Sequence, residues 1–144
     1  MDRLDRAILD ILKRNARASY AYMARTLGVS EGTVRKRVKS LLERGFIELF
    51  TIEEGNGIRA LILINTKTSA DCPLIAKRLT EIDHVEKVYE VSGQYDIVTI
   101  IFARTTQEIN DTLEKIRKID GVERTYTCIV LKSHYPSGKE TEEQ

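Results

Sequence analysis

Apolar residues recur at helical spacing in three successive runs over the first 45 residues. This spacing predicts helices over residues 4–14, after Ser19, and from Ser30 to about Arg44, each preceded by a side chain suited to the N-cap position. The turn between the second and third helices contains Gly28, which is suited to the left-handed conformation that ends a helix. Two helices joined by so short a turn are typical of a helix-turn-helix.

The apolar stripe of the third helix leaves polar and basic side chains on its outer face. Lys and Arg in this position can contact DNA phosphates, and the first turn of the helix can reach base edges in the major groove. The missing side chain of Gly32 would let the backbone approach DNA closely. The candidate DNA-binding residues are therefore Ser30, Gly32, Thr33, Arg35, Lys36, Arg37, Lys39 and Ser40. The alternative is a three-helix bundle with a solvated basic face, since Glu31 and Glu43 reduce its positive charge.

A different pattern begins after residue 57. Four apolar runs of strand length and two helical stripes follow one another in the order β-α-β-β-α-β, with strands at 58–66, 85–91, 97–103 and 122–131. Asp71 and Thr105 are suited to start the two helices. Residues 82–89 and 119–126 share five of eight positions, so each half of this region is one β-α-β unit. The order predicts a ferredoxin-like sandwich, and the whole chain falls in the α+β class.

Several of these strands are apolar on both of their faces, although the helices of a ferredoxin-like fold cover only one face. A sheet with two apolar faces must bury the second one. The simplest cover is the same face of a second copy, so we predict a homodimer formed through this domain. The alternative is that the linker or the N-terminal helices cover that face within one chain.

A linker lies between the two patterns. Residues 46–52 are strand-like with imperfect alternation, and Asn56-Gly57 is a turn signal. The predicted organisation is a helix-turn-helix domain at 1–50 (the head), a linker at 51–57, a ligand-sensing and oligomerisation domain at 58–135, and a disordered acidic tail at 136–144.

The net charge of +1 conceals an asymmetry between the two parts of the chain. Residues 1–50 contain eleven Lys and Arg against six Asp and Glu, a net charge of +5, whereas residues 51–144 carry a net charge of −4. A basic head on an acidic remainder suggests that only the head meets a polyanion.

Other classes of protein fit the sequence poorly. No stretch approaches the roughly 18–20 apolar residues of a membrane span, and the charged N-terminus does not resemble a secretory signal. Cys72 and Cys128 lie far apart, and together with His84 and His134 they form no recognisable metal or catalytic motif. We therefore expect a cytoplasmic protein without a cofactor, a metal site or catalytic residues.

Several segments form a distinctive combination: Leu4-Asp5-Arg6-Ala7-Ile8-Leu9, Leu27-Gly28-Val29-Ser30 with Thr33-Val34-Arg35-Lys36-Arg37-Val38, Leu41 with Gly45, Gly93-Gln94-Tyr95-Asp96, and Gly121-Val122-Glu123-Arg124-Thr125-Tyr126-Thr127. This combination resembles the Lrp/AsnC (feast/famine) family of transcription regulators, and the resemblance covers residues 2–134. It implies a head of the winged-helix or helix-turn-helix type, a ligand-sensing domain, and dimers that assemble into tetramers, octamers or rings. It also implies an amino acid as effector, bound between subunits. The short acidic linker departs from the longer hairpin of many members.

Carried over residue by residue, the resemblance places the effector site at Gly93, Gln94, Tyr95, Asp96, Thr125 and Thr127. The chemistry fits, because a zwitterion needs a carboxylate for its ammonium group and donors for its own carboxylate. Asp96 can supply the first, and the second can come from backbone N–H groups near Gly93 and from the threonine hydroxyls. The alternative is that residues 93–96 form only a hairpin turn.

Together these features predict a sequence-specific, DNA-binding transcription regulator whose activity or assembly responds to a small effector. An architectural DNA-binding protein without an effector is the main alternative. A large gap between specific and non-specific affinity would favour the regulator. A small enzyme is disfavoured, since no nucleophile motif or paired acid is present.

Overall fold

The structure is a computed structural model that describes residues 1–138. Over this range the chain forms five helices and four strands. Their bounds are α1 Arg3–Arg14, α2 Tyr20–Leu27, α3 Glu31–Glu43, β1 Ile58–Thr66, α4 Cys72–Leu79, β2 Val85–Glu90, β3 Ile97–Ala103, α5 Thr106–Arg117 and β4 Val122–Ile129.

The three predicted helices of the head are confirmed, and each begins at a side chain that caps it. Asp2 accepts a hydrogen bond from the backbone N–H of Asp5 in a reciprocal capping box. Ser19 and Ser30 cap α2 and α3 by accepting hydrogen bonds from the backbone N–H groups of Tyr22 and Thr33. Gly28 ends α2 in the left-handed conformation, with φ of +67°. The side chains that the three helices bury against one another are Ile8, Met23, Ala24, Val34, Val38 and Leu41.

Residues 46–57 form no strand, although the pattern of residues 46–52 is strand-like. The N–H groups of Phe46 and Ile47 donate to the carbonyl of Leu41, at 2.9 and 3.1 Å, so the chain turns back on the end of α3. A strand forms where a neighbouring strand pairs with its backbone N–H and C=O groups. Residues 48–52 have no such neighbouring strand within the described chain. Leu49 and Ile52 are therefore left 61% and 82% exposed.

The second region is the predicted ferredoxin-like sandwich. Its sheet is antiparallel throughout, in the order β2-β3-β1-β4. Helices α4 and α5 cover one face, and their apolar side chains pack on alternate residues of the central strands β1 and β3. The second and fourth strands end at Glu90 and Ile129, one and two residues earlier than predicted.

The other face of this sheet is apolar, and no helix within Glu53–Ser133 covers it. Leu61 and Leu63 of β1 lie beside Val98 and Ile100 of β3, and all four are only partly buried. Tyr89 and Tyr126 stand at either side of this row, 41% and 59% exposed. This surface, defined by these six residues, is called the open face below.

Contacts along the chain divide it into two units, Met1–Ile52 with the chain after Ser133, and Glu53–Ser133. The second half of the predicted linker belongs to the second unit, because Arg104 Nη1 donates to the carbonyls of Gly55 and Asn56 at 2.6 and 2.9 Å. Gly57 is pressed against Phe102, where a Cβ would come within 2.5 Å of the ring. Of the predicted tail, residues 136–138 lie beside α1, and residues 139–144 lie outside the described part.

Candidate nucleic-acid interface and effector loop

The candidate DNA-binding residues follow one another around the outer side of α3. Gly32, Arg35, Lys36 and Lys39 are exposed, whereas Ser40 is half-buried. The exposed residues come from the positions between the buried Val34, Val38 and Leu41, so the inward stripe of the helix fixes which residues face solvent.

The first turn of α3 is held by its own hydroxyl groups. Ser30 Oγ accepts a hydrogen bond from the N–H of Thr33 at 3.1 Å and lies 2.9 Å from Thr33 Oγ1. A Cβ added to Gly32 would meet only Ser30 Oγ, at 3.9 Å. The packing of the head therefore gives no reason for glycine at this position, and the bare backbone there faces outward.

The basic side chains of α3 differ in their surroundings. The guanidinium of Arg35 lies 5.0 Å from the ring centre of Tyr20. This cation–π contact holds the Arg35 side chain against the first residue of α2. Lys39 forms an exposed pair with Glu43 at 3.8 Å, a contact of little energetic value. Lys36 has no ion-pair partner in the described range, so its ammonium group points to solvent.

Arg37 is turned toward α1. Its Nη1 donates to the carboxylates of Asp2 and Asp5, the latter at 3.2 Å, and the Asp5 side chain is only 3% exposed. Arg44 lies 3.6 Å from the other oxygen of Asp5. These contacts fasten α3 to α1, so Arg37 has a structural task in the head, and its predicted role at DNA stays a prediction. Sequence reasoning used Asp2 only as a cap and overlooked Asp5.

These ion pairs shift the ionisation of the groups involved. The backbone N–H of Asp5, followed by the Arg37 guanidinium, lowers the pKa of the Asp2 carboxyl below its ordinary value of 3.8. Hydrogen bonds to Asp2 and then to Asp5 raise the pKa of Arg37. Asp2 and Arg37 therefore stay charged at neutral pH.

The candidate effector loop, residues 91–96, joins β2 to β3 and is fastened to the end of β1. Asp96 Oδ2 accepts hydrogen bonds from the N–H of Thr66 at 2.8 Å and from its hydroxyl at 3.3 Å. The Asp96 N–H donates to the carbonyl of Ile64 at 2.9 Å. Asn65 Nδ2 donates to the carbonyl of Gln94 at 2.8 Å. Asp96 thus has a structural task in its own chain that sequence reasoning missed.

The two candidate threonines lie on β4. Thr125 and Thr127 are both half-buried, opposite Ile64 and Ile62 of β1, on the face that the helices cover. Arg117 Nε donates to Thr125 Oγ1 at 3.4 Å. Asp96 directly precedes β3, and because β1 lies between β3 and β4, about 9–10 Å separates β3 from the strand of Thr125. One chain therefore does not bring Asp96 and the threonines into a single cluster.

The described residues offer few groups suited to catalysis or to metal binding. The pKa of the Cys72 thiol lies above its ordinary value of 9.0, because of burial first and the nearby charges of Glu90 and Asp96 second. A thiol so placed stays protonated and is a weak nucleophile. No group of three His, Cys, Asp or Glu side chains in residues 1–138 could hold a metal ion. Nor does this range contain a helix long and apolar enough to span a membrane.

A head with a solvent-facing helix-turn-helix, joined to a separate ferredoxin-like unit, defines a DNA-binding transcriptional regulator. Two family models agree with this class: an AsnC-type helix-turn-helix domain matches residues 1–42, and an Lrp/AsnC ligand binding domain matches residues 59–139. The chain belongs to the Lrp/AsnC family of transcriptional regulators. It is therefore not an enzyme.

Relatives and solved structures agree with this assignment over nearly the whole chain. The HTH-type transcriptional regulator LysM of Saccharolobus solfataricus is 40% identical over 137 residues, which are 94% of this chain and 96% of the relative. The structure of AsnC from E. coli matches with a TM-score of 0.75 and 32% identity, over 94% and 95% of the two chains. A feast or famine regulatory protein from M. tuberculosis, solved in complex with L-methionine, matches with a TM-score of 0.81 and 26% identity, over the same shares.

Proposed function

We propose that this regulator binds specific DNA sequences and that an amino acid, bound at a subunit interface, modulates its activity or assembly. The observation that carries the proposal is the separation of two surfaces: an outward α3 on the head, and a hydrogen-bonded loop ending at Asp96 on the other unit. Because the proposed partner is DNA, we also expect the protein in the cytoplasm.

The DNA-binding part of the proposal assigns two tasks to α3. Lys36, Arg35 and Lys39 contact phosphates and contribute affinity that depends on salt. Thr33 and the backbone at Gly32 approach base edges and contribute sequence preference. The test is the ratio of specific to non-specific affinity, which reaches about 10³ or more for a regulator. A ratio near one would support the architectural alternative.

The effector part rests on the chemistry of Asp96. The described hydrogen bonds to this carboxylate involve Oδ2, so Oδ1 can accept a charge-assisted bond from the ammonium group of an amino acid. An effector held between subunits can meet the loop of one copy and Thr125 and Thr127 of another. The methionine complex of the related M. tuberculosis protein supports this class of ligand.

The experiment begins with a thermal-shift screen against the twenty amino acids, since a ligand of the folded form raises its stability. Calorimetric titration then compares the unmodified protein with Asp96→Asn, which keeps an oxygen for the Thr66 N–H but removes the charge. Losing a charged hydrogen bond weakens affinity by about 10- to 100-fold. The control Thr66→Val removes one hydroxyl contact to Asp96 and should leave affinity near that of the unmodified protein.

Two results would contradict the effector proposal. Unchanged affinity in Asp96→Asn would mean that the loop is only a turn and that the ligand lies elsewhere. If no amino acid bound the unmodified protein at millimolar concentration, the architectural alternative would be favoured.

The dimer interface in this proposal is the open face, whereas the effector, which meets Thr125 and Thr127 on the opposite face, would lie at a contact between such dimers. Leu61, Leu63, Val98 and Ile100 form an apolar strip that a second copy would cover, giving a homodimer. Tetramers and octamers would then be built from such dimers.

A further inference from the structure

A cavity lies at one corner of the ferredoxin-like unit, between the β1–α4 connection and the turn that precedes β4. It has a volume of about 290 Å³, which is at the lower limit for sites that bind small molecules. Its lining does not include any residue of the candidate effector loop, nor either candidate threonine of β4. This cavity is called the corner cavity, and the lining residues of interest are Lys67, Asp71, Leu74, Ile75, Arg78 and Asp120.

The backbone around the corner cavity is held in place by contacts within the chain. The N–H of Lys67 donates to the carbonyl of Gly121 at 2.8 Å, and the N–H of Ala70 donates to the carbonyl of Lys67 at 2.9 Å. Gly121 has φ of +96°, and a Cβ at this position would come within 2.7 Å of Ile75 Cδ1. Only glycine permits so close an approach at this φ, so a single chain already forms the cavity.

The internal repeat provides a comparison for the corner cavity. Asp83-His84 in the turn before β2 matches Asp120-Gly121 in the turn before β4. Both turns place their second residue at a positive φ, of 73° and 96°. The connections from strand to helix differ, because five residues join β1 to α4 whereas two join β3 to α5. Counted back from the residues that cap the two helices, the additional residues are 67–69, so the lining provided by Lys67 belongs to one copy of the repeat only.

Charged groups of both signs line the corner cavity without pairing. Within residues 1–138, no ion pair or side-chain hydrogen bond engages Lys67, Arg78 or Asp120. The described hydrogen bond to Asp71 uses Oδ1, which caps α4, so Oδ2 can accept another. By contrast, Arg104 in the shorter connection is already engaged in an ion pair. Two cations and two carboxylates are therefore available to a ligand in the corner cavity.

This set of groups fits a zwitterion better than an ion of one sign. Lys67 and Arg78 are suited to a carboxylate, and Asp71 and Asp120 are suited to an ammonium group. The four charges sum to zero, so an anion such as phosphate would meet repulsion from two carboxylates together with its attraction to two cations. Leu74 is 44% exposed and offers apolar surface to a side chain of the ligand.

We propose that the corner cavity binds an amino acid with an apolar side chain, as a zwitterion and within a single chain. The effector of the proposed function meets groups from two copies, so the corner cavity is a separate, additional site. This inference does not rest on the effector site at Asp96. The charged contacts lie at the surface, where water screens them, so the affinity is in the millimolar range.

The experiment titrates the full chain with L-leucine and follows the methyl groups of Leu74 and Ile75 by NMR. Both side chains line the corner cavity, so their methyl signals report on this site and not on binding in general. Two analogues test the zwitterion: 4-methylpentanoate lacks the ammonium group, and 3-methylbutylamine lacks the carboxylate. We expect saturable shifts of both residues with L-leucine, and binding of each analogue that is about 10-fold weaker or less detectable still.

Substitutions of the charged lining are compared with matched controls. Arg78→Gln and Asp120→Asn should each weaken L-leucine binding at the corner cavity by about 5- to 10-fold. Lys77→Gln changes the exposed cation next to Arg78, which does not line the cavity, and Asp83→Asn changes the counterpart of Asp120 in the other copy of the repeat. Both controls should keep the affinity of the unmodified protein, and so should Asp96→Asn.

Each outcome decides for or against the corner cavity. Absence of saturable shifts at Leu74 and Ile75 in the unmodified protein would overturn the proposal. Equal affinities of Arg78→Gln and Lys77→Gln, or full affinity for 4-methylpentanoate, would show that the ligand is not held as a zwitterion. Loss of the shifts in Asp96→Asn would assign them to the effector loop, so this inference would fail while the proposed effector site would stand. Shifts that persist in a protein whose calorimetric affinity for amino acids is unaffected by Asp96→Asn would support the corner cavity and remove the effector proposal.

Discussion

At the scale of single residues, two buried threonines differ in what their hydroxyl groups contact. Thr99 in β3 is fully buried, and its Oγ1 has no hydrogen-bond partner among the described residues. Thr112 in α5 is 2% exposed and donates to the carbonyl of Glu108 at 2.8 Å. A buried hydroxyl contributes to stability only when it is hydrogen-bonded, so the same substitution should have opposite effects at the two positions.

We expect Thr99→Val to raise the free energy of unfolding by about 0.5–2 kcal/mol, because it removes an unpaired polar group at nearly constant volume. Thr112→Val should lower the free energy of unfolding by about 0.5–1.5 kcal/mol, because it removes the hydrogen bond from the Thr112 hydroxyl to the carbonyl of Glu108. Urea titrations of the two variants and the unmodified protein measure both changes in the free energy of unfolding. A loss of stability in Thr99→Val as large as in Thr112→Val would contradict the conclusion that the Thr99 hydroxyl is unpaired.

At the scale of one element, α3 carries two adjacent cations with different tasks. Lys36→Gln should reduce the slope of log affinity against log salt by about 0.9, because one phosphate contact is lost, and should leave the thermal midpoint unchanged. Arg37→Gln should lower the thermal midpoint, because the buried Asp5 loses its nearer cation and keeps the longer contact to Arg44 and the hydrogen bond from the Asp2 N–H.

Anisotropy titrations at several salt concentrations and thermal melts of both variants provide these values. An unchanged salt slope in Lys36→Gln would mean that this side of α3 does not meet DNA. A salt slope that fell in Arg37→Gln with no change in midpoint would assign Arg37 to DNA after all.

The starts of α1 and α5 carry carboxylates whose ionisation makes the stability of the fold depend on pH. The pKa of Glu108 lies below its ordinary value of 4.5, mainly because the N–H of Arg104 donates to it, and the pKa of Asp2 is lowered as well. A depressed pKa means that the unfolded chain binds the proton first as pH falls. These groups therefore stabilise the fold fully above about pH 5, and their contribution disappears as pH falls through their folded-state pKa values.

Urea titrations from pH 7 to pH 3 test this. The unmodified protein should lose stability below about pH 4–5, and Glu108→Gln should show a shallower loss over the same range. The control Asp10→Asn changes an exposed carboxylate of α1 that lies outside both caps, and it should keep the full slope. If the free energy of unfolding fell equally with pH in Glu108→Gln and Asp10→Asn, the capping role of Glu108 would be contradicted.

The elements were largely predictable from sequence because their signals are local. A cap and the N–H it satisfies lie three residues apart, as in Ser30 with Thr33, and an apolar stripe repeats within a few turns. The pairing of Arg37 with Asp5 joins residues 32 positions apart, and that of Asp96 with Thr66 spans 30. Such pairs form only after helices or strands have packed, so spacing alone did not identify them.

At the scale of the whole molecule, the open face is the proposed interface between copies. Ile100 lies on it and is partly exposed, whereas Ile62 of the adjacent strand is fully buried under the helices. We expect Ile100→Asp to convert the oligomer to monomers that keep their helix and strand content, because a charge enters an interface that lacks water. Ile62→Asp should unfold the second unit instead.

Sedimentation and circular dichroism of the full chain at micromolar concentration distinguish these outcomes. Leu131→Asp, at a side chain 95% exposed, provides a control that should change neither measurement. An unmodified protein that sediments as a monomer, or an Ile100→Asp variant that remains a dimer, would remove the open face from the interface.

The chain passes between its two units twice, at Ile52–Glu53 and again after Ser133. A truncation after Ser133 would look, in sequence terms, like a trimming of the second unit. It would instead remove residues 134–138 from the unit that carries α3, so its effect should be sought in DNA binding and not only in assembly.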